Sequence, residues 1–220
     1  MNPSPRIKIC GLTRLEDALL SYELGATYLG IIMAKGTPRE VSEQDARIII
    51  HEVRRIASKN PPKLVGVFLH ESPEEIADLH TRLDFDHVQV HGEVTEKHRS
   101  VIPVPVVPAF RMKTAESASE AIEALKFGPV LLDAYAPDKH GGTGHRFNHD
   151  WAIPVVEKGP VYIAGGLGSE NIAEVVHGFR TQGILPHAFD LSSGVEEVVR
   201  IKSPDKLRAF FEQFNRALKA

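Results

Sequence analysis

The 220-residue chain carries 26 Lys and Arg against 29 Asp and Glu, a formal net charge of −3. The basic residues are scattered, which excludes the concentrated field that would hold a nucleic acid or an anionic membrane surface. A lone cysteine cannot form an intramolecular disulfide, the N-terminal Met1-Asn2-Pro3-Ser4-Pro5-Arg6 has no apolar signal-peptide core, and no apolar run approaches the roughly 18 residues of a membrane span, so a cytoplasmic protein is expected.

Short runs rich in β-branched residues alternate with segments of helical period from end to end. The strand candidates are Arg6–Cys10, Tyr28–Met33, Leu64–Leu69, His87–His91, Val104–Phe110, Val130–Ala134, Val161–Ala164 and Ala188–Leu191. Amphipathic stretches such as 15–20, 73–79 and 119–125 fall between them, with Thr13, Ser42, Ser72 and Ser169 as expected helix N-caps. Glu16 and Asp45 stand at capping-box positions after Thr13 and Ser42. A closing helix, Pro204–Lys219, puts Leu207, Phe210, Phe211 and Phe214 on one face, a core stripe. Pro103, Pro105 and Pro108 make the fifth strand the least secure, because a central strand tolerates proline poorly.

Eight such units predict a single (β/α)8 TIM barrel over residues 1–220. A doubly wound open sheet is the competing fold, but it uses fewer strands, and no Gly-x-Gly-x-x-Gly follows the first one.

In a barrel, chemistry collects at the C-terminal ends of strands. The first strand ends in Cys10-Gly11, the fourth in Gln89-Val90-His91-Gly92, and the sixth in Asp133 after the apolar run Pro129–Leu132. Partial desolvation there raises a carboxyl pKa and keeps a proton available. Gly165-Gly166 after strand seven and Ser192-Ser193-Gly194 after strand eight expose adjacent backbone N–H groups suited to a phosphate monoester. The Gly141-Gly142-Thr143-Gly144 segment can fold over the site, with Gly142 a further phosphate contact. Arg39, in the loop after strand two, offers a planar fork for a substrate carboxylate. Gln89 and His91 are placed with it as substrate-binding residues, although a hydrogen-bonded structural role suits His91 as well. No His-x-x-x-His or paired-Cys spacing points to a metal. Lys8 stands two residues before Cys10, hence on the same strand face, and requires a carboxylate inside the barrel. Asp190, on the strand adjacent after closure, is the expected partner, with a secondary effect of favouring a Cys10 thiolate.

The ordered set Lys8-Ile9-Cys10-Gly11-Leu12-Thr13, Val65-Gly66-Val67-Phe68, Val88-Gln89-Val90-His91-Gly92, Leu131-Leu132-Asp133, Gly141-Gly142-Thr143-Gly144, Ala164-Gly165-Gly166-Leu167 and Asp190-Leu191-Ser192-Ser193-Gly194-Val195-Glu196 resembles the phosphoribosylanthranilate isomerases of tryptophan biosynthesis over nearly the whole chain. The resemblance implies an Amadori rearrangement of a small phosphorylated substrate without metal or organic cofactor, in a monomer or homodimer. It implies Cys10 as general base, Asp133 as general acid and Arg39 as the contact to the anthranilate carboxylate. Three departures stand out: Gly30-Ile31-Ile32-Met33-Ala34 where the family usually has phenylalanines, a longer segment 144–151, and Ala164 in place of a common serine. Two other readings compete, the related histidine-pathway Amadori isomerase and a sugar-phosphate-binding barrel without catalysis. Cys10 and a single phosphate site argue against the first of these.

Overall fold

A computed structural model describes residues 5–57, 59–114, 116–134 and 149–219. Eight parallel strands close on themselves in sequence order, each bonded to the next and the eighth to the first. They are β1 (Arg6–Ile9), β2 (Tyr28–Ile32), β3 (Lys63–Phe68), β4 (His87–His91), β5 (Val106–Met112), β6 (Val130–Ala134), β7 (Val161–Ile163) and β8 (Ala188–Leu191). Helices α1 (Leu15–Glu23), α2 (Glu43–Ile56), α3 (Pro73–Leu83), α4 (Glu96–Val101), α5 (Ser117–Ala124), α6 (Ile153–Val156), α7 (Ile172–Thr181) and α8 (Pro204–Lys219) follow the strands in turn. This is the expected (β/α)8 architecture.

The period of two sorts the core into two shells. Outward-facing Ile7, Ile9, Leu29, Ile31, Phe189 and Leu191 join the helix faces in one large apolar cluster. Inward-facing Cys10, Tyr28, Val65, Val67, Val107, Leu131, Tyr162, Ala164 and Ala188 form a second cluster inside the barrel. Toward the N-terminal end of the strands, Tyr28 and Tyr162 meet edge to face at 5.3 Å, and His187 bonds the Tyr28 hydroxyl at 2.9 Å. In α8 the expected stripe Leu207, Phe210, Phe211 and Phe214 is fully buried.

Local details depart from expectation where tertiary partners intervene. The fifth strand starts two residues late, after Pro105, whose carbonyl accepts from Val88 at 3.0 Å. It nonetheless accommodates Pro108 opposite Val90. A proline removes one N–H, and the ladders to both neighbouring strands persist through the remaining residues. Ser42 and Ser72 cap α2 and α3, the latter with a full capping box to Glu75. Thr13 does not cap α1, because its hydroxyl donates to the Arg200 carbonyl at 2.5 Å, and Glu16 pairs with Arg14 instead. Ser169 is likewise no cap: Asn171 holds the N-cap position of α7. An antiparallel hairpin, β9 (Glu196–Val198) and β10 (Ile201–Lys202), follows strand eight and was not anticipated. Among the described residues, no helix is long and apolar enough to cross a membrane.

Candidate active site

A cavity of about 150 Å³, partly open to solvent, occupies the C-terminal mouth of the barrel. Every expected site residue that falls within the described parts of the chain lines it: Cys10, Arg39, Gln89, His91, Asp133, Gly165, Gly166, Ser192 and Ser193. Gly142 and the rest of the Gly141–Gly144 segment lie outside the described residues.

Cys10 follows the last residue of β1, where its N–H donates to the Leu191 carbonyl at 2.7 Å and ties it to β8. The chain then turns at Gly11, whose φ of +72° suits glycine. Room for the thiol comes from Gly30 on β2: a Cβ there would lie 2.8 Å from Cys10 Sγ. One layer deeper, Lys8 and Asp190 are register partners across the closure and pair at 2.8 Å in full burial, as the strand period predicted. Removing either partner of such a buried pair costs about 3–5 kcal/mol, because the other charge is left uncompensated. Burial alone would lower the Lys8 pKa, but the Asp190 carboxylate and Cys10 more than offset it, so the lysine is held in its charged form.

The expected pull of Lys8 toward a Cys10 thiolate is present but is outweighed by the same burial. Desolvation raises the Cys10 pKa, Asp190 adds to the rise, and the opposing pull of Lys8 and Lys202 does not cancel it. Burial thus favours the neutral thiol, while two cations, Lys8 and Lys202, favour its anion.

Asp133, at the end of β6, is half-buried and stands opposite Arg111 in the register with β5. On β4, Gln89 Nε2 lies 2.8 Å from His91 Nε2. Burial, with smaller contributions from Lys8 and Arg111, pushes the His91 pKa down to about 4, so the ring is neutral at pH 7. Asp190 Oδ1 is buried and has no hydrogen-bond partner among the described residues, which leaves an acceptor at the cavity wall.

Arg39 is where the simple reading of a free fork needs correction. Its Nε and Nη2 already donate to Glu196 Oε1 and Oε2 at 2.7 and 2.6 Å, both side chains buried. Among the described residues, three of the five guanidinium hydrogens, two on Nη1 and one on Nη2, make no other bond. Glu196, Lys202, Arg111 and Gly30 are the residues that sequence reasoning left without a role. The only available signal was Glu196 at the end of the strand-eight motif.

Across the mouth, Gly165 and Gly166 adopt φ of 93° and 65°. The loops after β7 and β8 touch so closely that a Cβ on Gly194 would fall 1.9 Å from the Leu167 carbonyl oxygen. Asn171 fixes the first loop, accepting from Gly168 N–H at 3.0 Å and donating to the Gly166 carbonyl at 2.7 Å. Among the described residues, the backbone N–H groups of Gly166, Ser193 and Gly194 donate to no backbone oxygen. Converging donors of this kind suit a dianion. No trio of His, Cys, Asp or Glu among the described residues is arranged to hold a metal ion.

Comparison with known proteins decides the family. The profile of N-(5'phosphoribosyl)anthranilate (PRA) isomerase matches residues 7–213. The chain belongs to this family. An N-(5'-phosphoribosyl)anthranilate isomerase of Citrifermentans bemidjiense is 37% identical over 205 residues, covering 92% of this chain and 93% of that protein. Among solved structures, phosphoribosyl anthranilate isomerase from Thermotoga maritima matches with a TM-score of 0.84 at 33% identity, over 96% of this chain and 99% of that one. A phosphoribosyl anthranilate isomerase in complex with reduced 1-(o-carboxyphenylamino)-1-deoxyribulose 5-phosphate matches with a TM-score of 0.81 at 31% identity, over 96% and 99%.

Proposed function

We propose that Cys10 and Asp133 are the base and acid of an isomerase that converts N-(5-phosphoribosyl)anthranilate, an aldose derivative, into the 1-(2-carboxyphenylamino)-1-deoxyribulose 5-phosphate ketose. The aldose–ketose isomerase activity is that of the family to which residues 7–213 match. The assignment of roles rests on one observation above all. The single thiol and the strand-six carboxyl line the same cavity, with a glycine-rich anion cradle and a buried arginine on its walls.

Asp133 delivers a proton to the ribose ring oxygen, the C1′–O bond breaks, and the anilino nitrogen lone pair forms the C1′ iminium. That positive charge acidifies the C2′ hydrogen. Cys10, as thiolate, removes it, and the electron pair of the C–H bond neutralises the iminium to give an enolamine, which tautomerises to the ketone. Cys10 enters this step after giving up its proton to solvent, a loss that burial opposes and the cations Lys8 and Lys202 favour. The phosphate rests on the N–H groups of Gly166, Ser193 and Gly194. The outer edge of Arg39 takes the anthranilate carboxylate. Asp190 Oδ1 accepts from a ribose hydroxyl, and neutral His91 with Gln89 lines the sugar. One closed domain over residues 1–220 and a place in the cytosol complete this reading.

Complementation of a tryptophan auxotroph lacking this isomerase tests it, with Cys10→Ser as control. Growth with the wild type and none with the control is expected. Failure of the wild-type chain to restore growth, with the protein expressed and folded, would refute the assignment and leave the non-catalytic binding barrel in its place.

A further inference from the structure

Arg39 belongs to a buried charge cluster that reaches the phosphate turn. The β9–β10 register sets Lys202 opposite Glu196. Lys202 Nζ donates to Glu196 Oε1 at 3.2 Å and to the Ser192 carbonyl at 3.0 Å, with its side chain wholly inaccessible. Glu196 therefore receives Arg39 on both oxygens and Lys202 on one. The hairpin is tied on every side. Lys202 N–H donates to Asp17 Oδ2 at 3.0 Å, Lys206 Nζ to the Glu196 carbonyl at 2.7 Å, and Arg200 Nη1 to the carbonyls of Pro38 and Glu40, on either side of Arg39, at 3.2 and 2.8 Å.

Two cations on one carboxylate in a buried setting are expensive, and well-packed apolar residues of the same volume usually serve stability better. The cluster has two geometric consequences at the cavity. With Nε–H and one Nη2–H committed to Glu196, a long and rotamer-rich side chain is left a single orientation, which offers a ligand its Nη1 edge. With the Ser192 carbonyl committed to Lys202, planarity of the trans peptide turns the Ser193 N–H away from Lys202. Gly11 leaves space for both arms: a Cβ there would lie 2.7 Å from Arg39 Cδ and 3.0 Å from Ser192 Oγ.

We infer that the Glu196–Lys202 pair is a positioning element that sets the carboxylate-binding arginine and the phosphate-binding turn through one buried ammonium, fixing the spacing between the two anionic ends of the substrate. This inference rests on the roles given above to Arg39 and the turn. Glu196 acts through Arg39, and Lys202 acts through both.

A double-mutant cycle of Glu196→Gln and Arg39→Ala tests the first half, with KM and kcat for N-(5-phosphoribosyl)anthranilate as readouts. Glu196→Gln is expected to raise KM about 10- to 100-fold while kcat changes far less, the scale expected of a positioning contact displaced by about 1 Å. In the Arg39→Ala background the same substitution should add little, about 3-fold at most, because its target is gone. Inorganic phosphate, tested as a competitive inhibitor, reads the second half: Glu196→Gln should leave its inhibition constant unchanged and Lys202→Met should weaken it about tenfold. Circular dichroism certifies each fold, and Glu196→Asp, which keeps the charge but withdraws it by one methylene, substitutes where the glutamine variant does not fold. Additive effects in the cycle, or equal weakening of phosphate by both variants, would overturn the inference. Absence of wild-type turnover would instead refute the proposed function, with the phosphate arm, read by calorimetry, still deciding the role of Lys202.

Discussion

Gly30→Ala is a single-methyl perturbation aimed at the reacting sulfur. The new Cβ would stand 2.8 Å from Cys10 Sγ, 3.1 Å from its Cα and 3.3 Å from its Cβ. Carbon and sulfur in contact need about 3.5–4.0 Å, so the thiol must retreat by roughly 1 Å from the position it now holds. Gly30 lies within β2 at an ordinary negative φ, so alanine brings no backbone strain, only overpacking, which costs about 1–3 kcal/mol. A base displaced by about 1 Å loses on the order of 100-fold in rate. The assay is steady-state turnover followed by anthranilate fluorescence, beside thermal unfolding and the affinity of reduced product. Loss of kcat with folding and affinity retained is the expected result. A kcat within about threefold of wild type, in a folded variant, would show that the thiol's position does not control the reaction.

Three further outcomes follow from the geometry. Because burial raises the Cys10 pKa, kcat/KM should climb by about tenfold per pH unit across neutrality, and Asp190→Asn, which removes the carboxylate adding to the rise, should shift that climb to lower pH; a shift to higher pH contradicts the account. The pKa values of His91 and His187 are pushed by burial to about 4, below the ordinary 6.5, so the unfolded chain binds their protons first. Their contribution to stability is complete above pH 6.5 and is lost as pH falls toward 4, a decline in melting temperature that His187→Gln should flatten and that calorimetry at several pH values will read. Gly194→Ala drives a methyl into the Leu167 carbonyl at 1.9 Å and must part the two anion-binding loops, so the affinity for inorganic phosphate should fall at least about tenfold; unchanged affinity by titration would remove these loops from the phosphate site.

How much of this was legible beforehand depends on the range of the interaction. The Lys8–Asp190 pair could be read from the chain, because a period of two fixes which residues face inward and closure makes the first and last strands neighbours. Ser72 as an N-cap was equally visible, a local signal, although its capping-box partner Glu75 was not picked out. Thr13 carried the same kind of signal and failed, since the Arg200 carbonyl, brought in by a hairpin 187 residues away, took its hydroxyl first. That hairpin reads in the sequence as a short charged run, so the Glu196 grip on Arg39 across 157 positions could not be seen. The Cys10 pKa was half legible for a related reason: the lysine two residues away that lowers it is visible in sequence, whereas the depth of burial that outweighs it is a property of the closed barrel.

The most direct test of the central claim is turnover of N-(5-phosphoribosyl)anthranilate by purified Cys10→Ala and Asp133→Asn beside the wild type, with affinity for the reduced product measured on the same samples. Each variant is expected to lose about two to four orders of magnitude in kcat while binding the reduced product nearly as well as the wild type, the signature of general acid–base groups. Near-wild-type turnover in either variant would contradict the account.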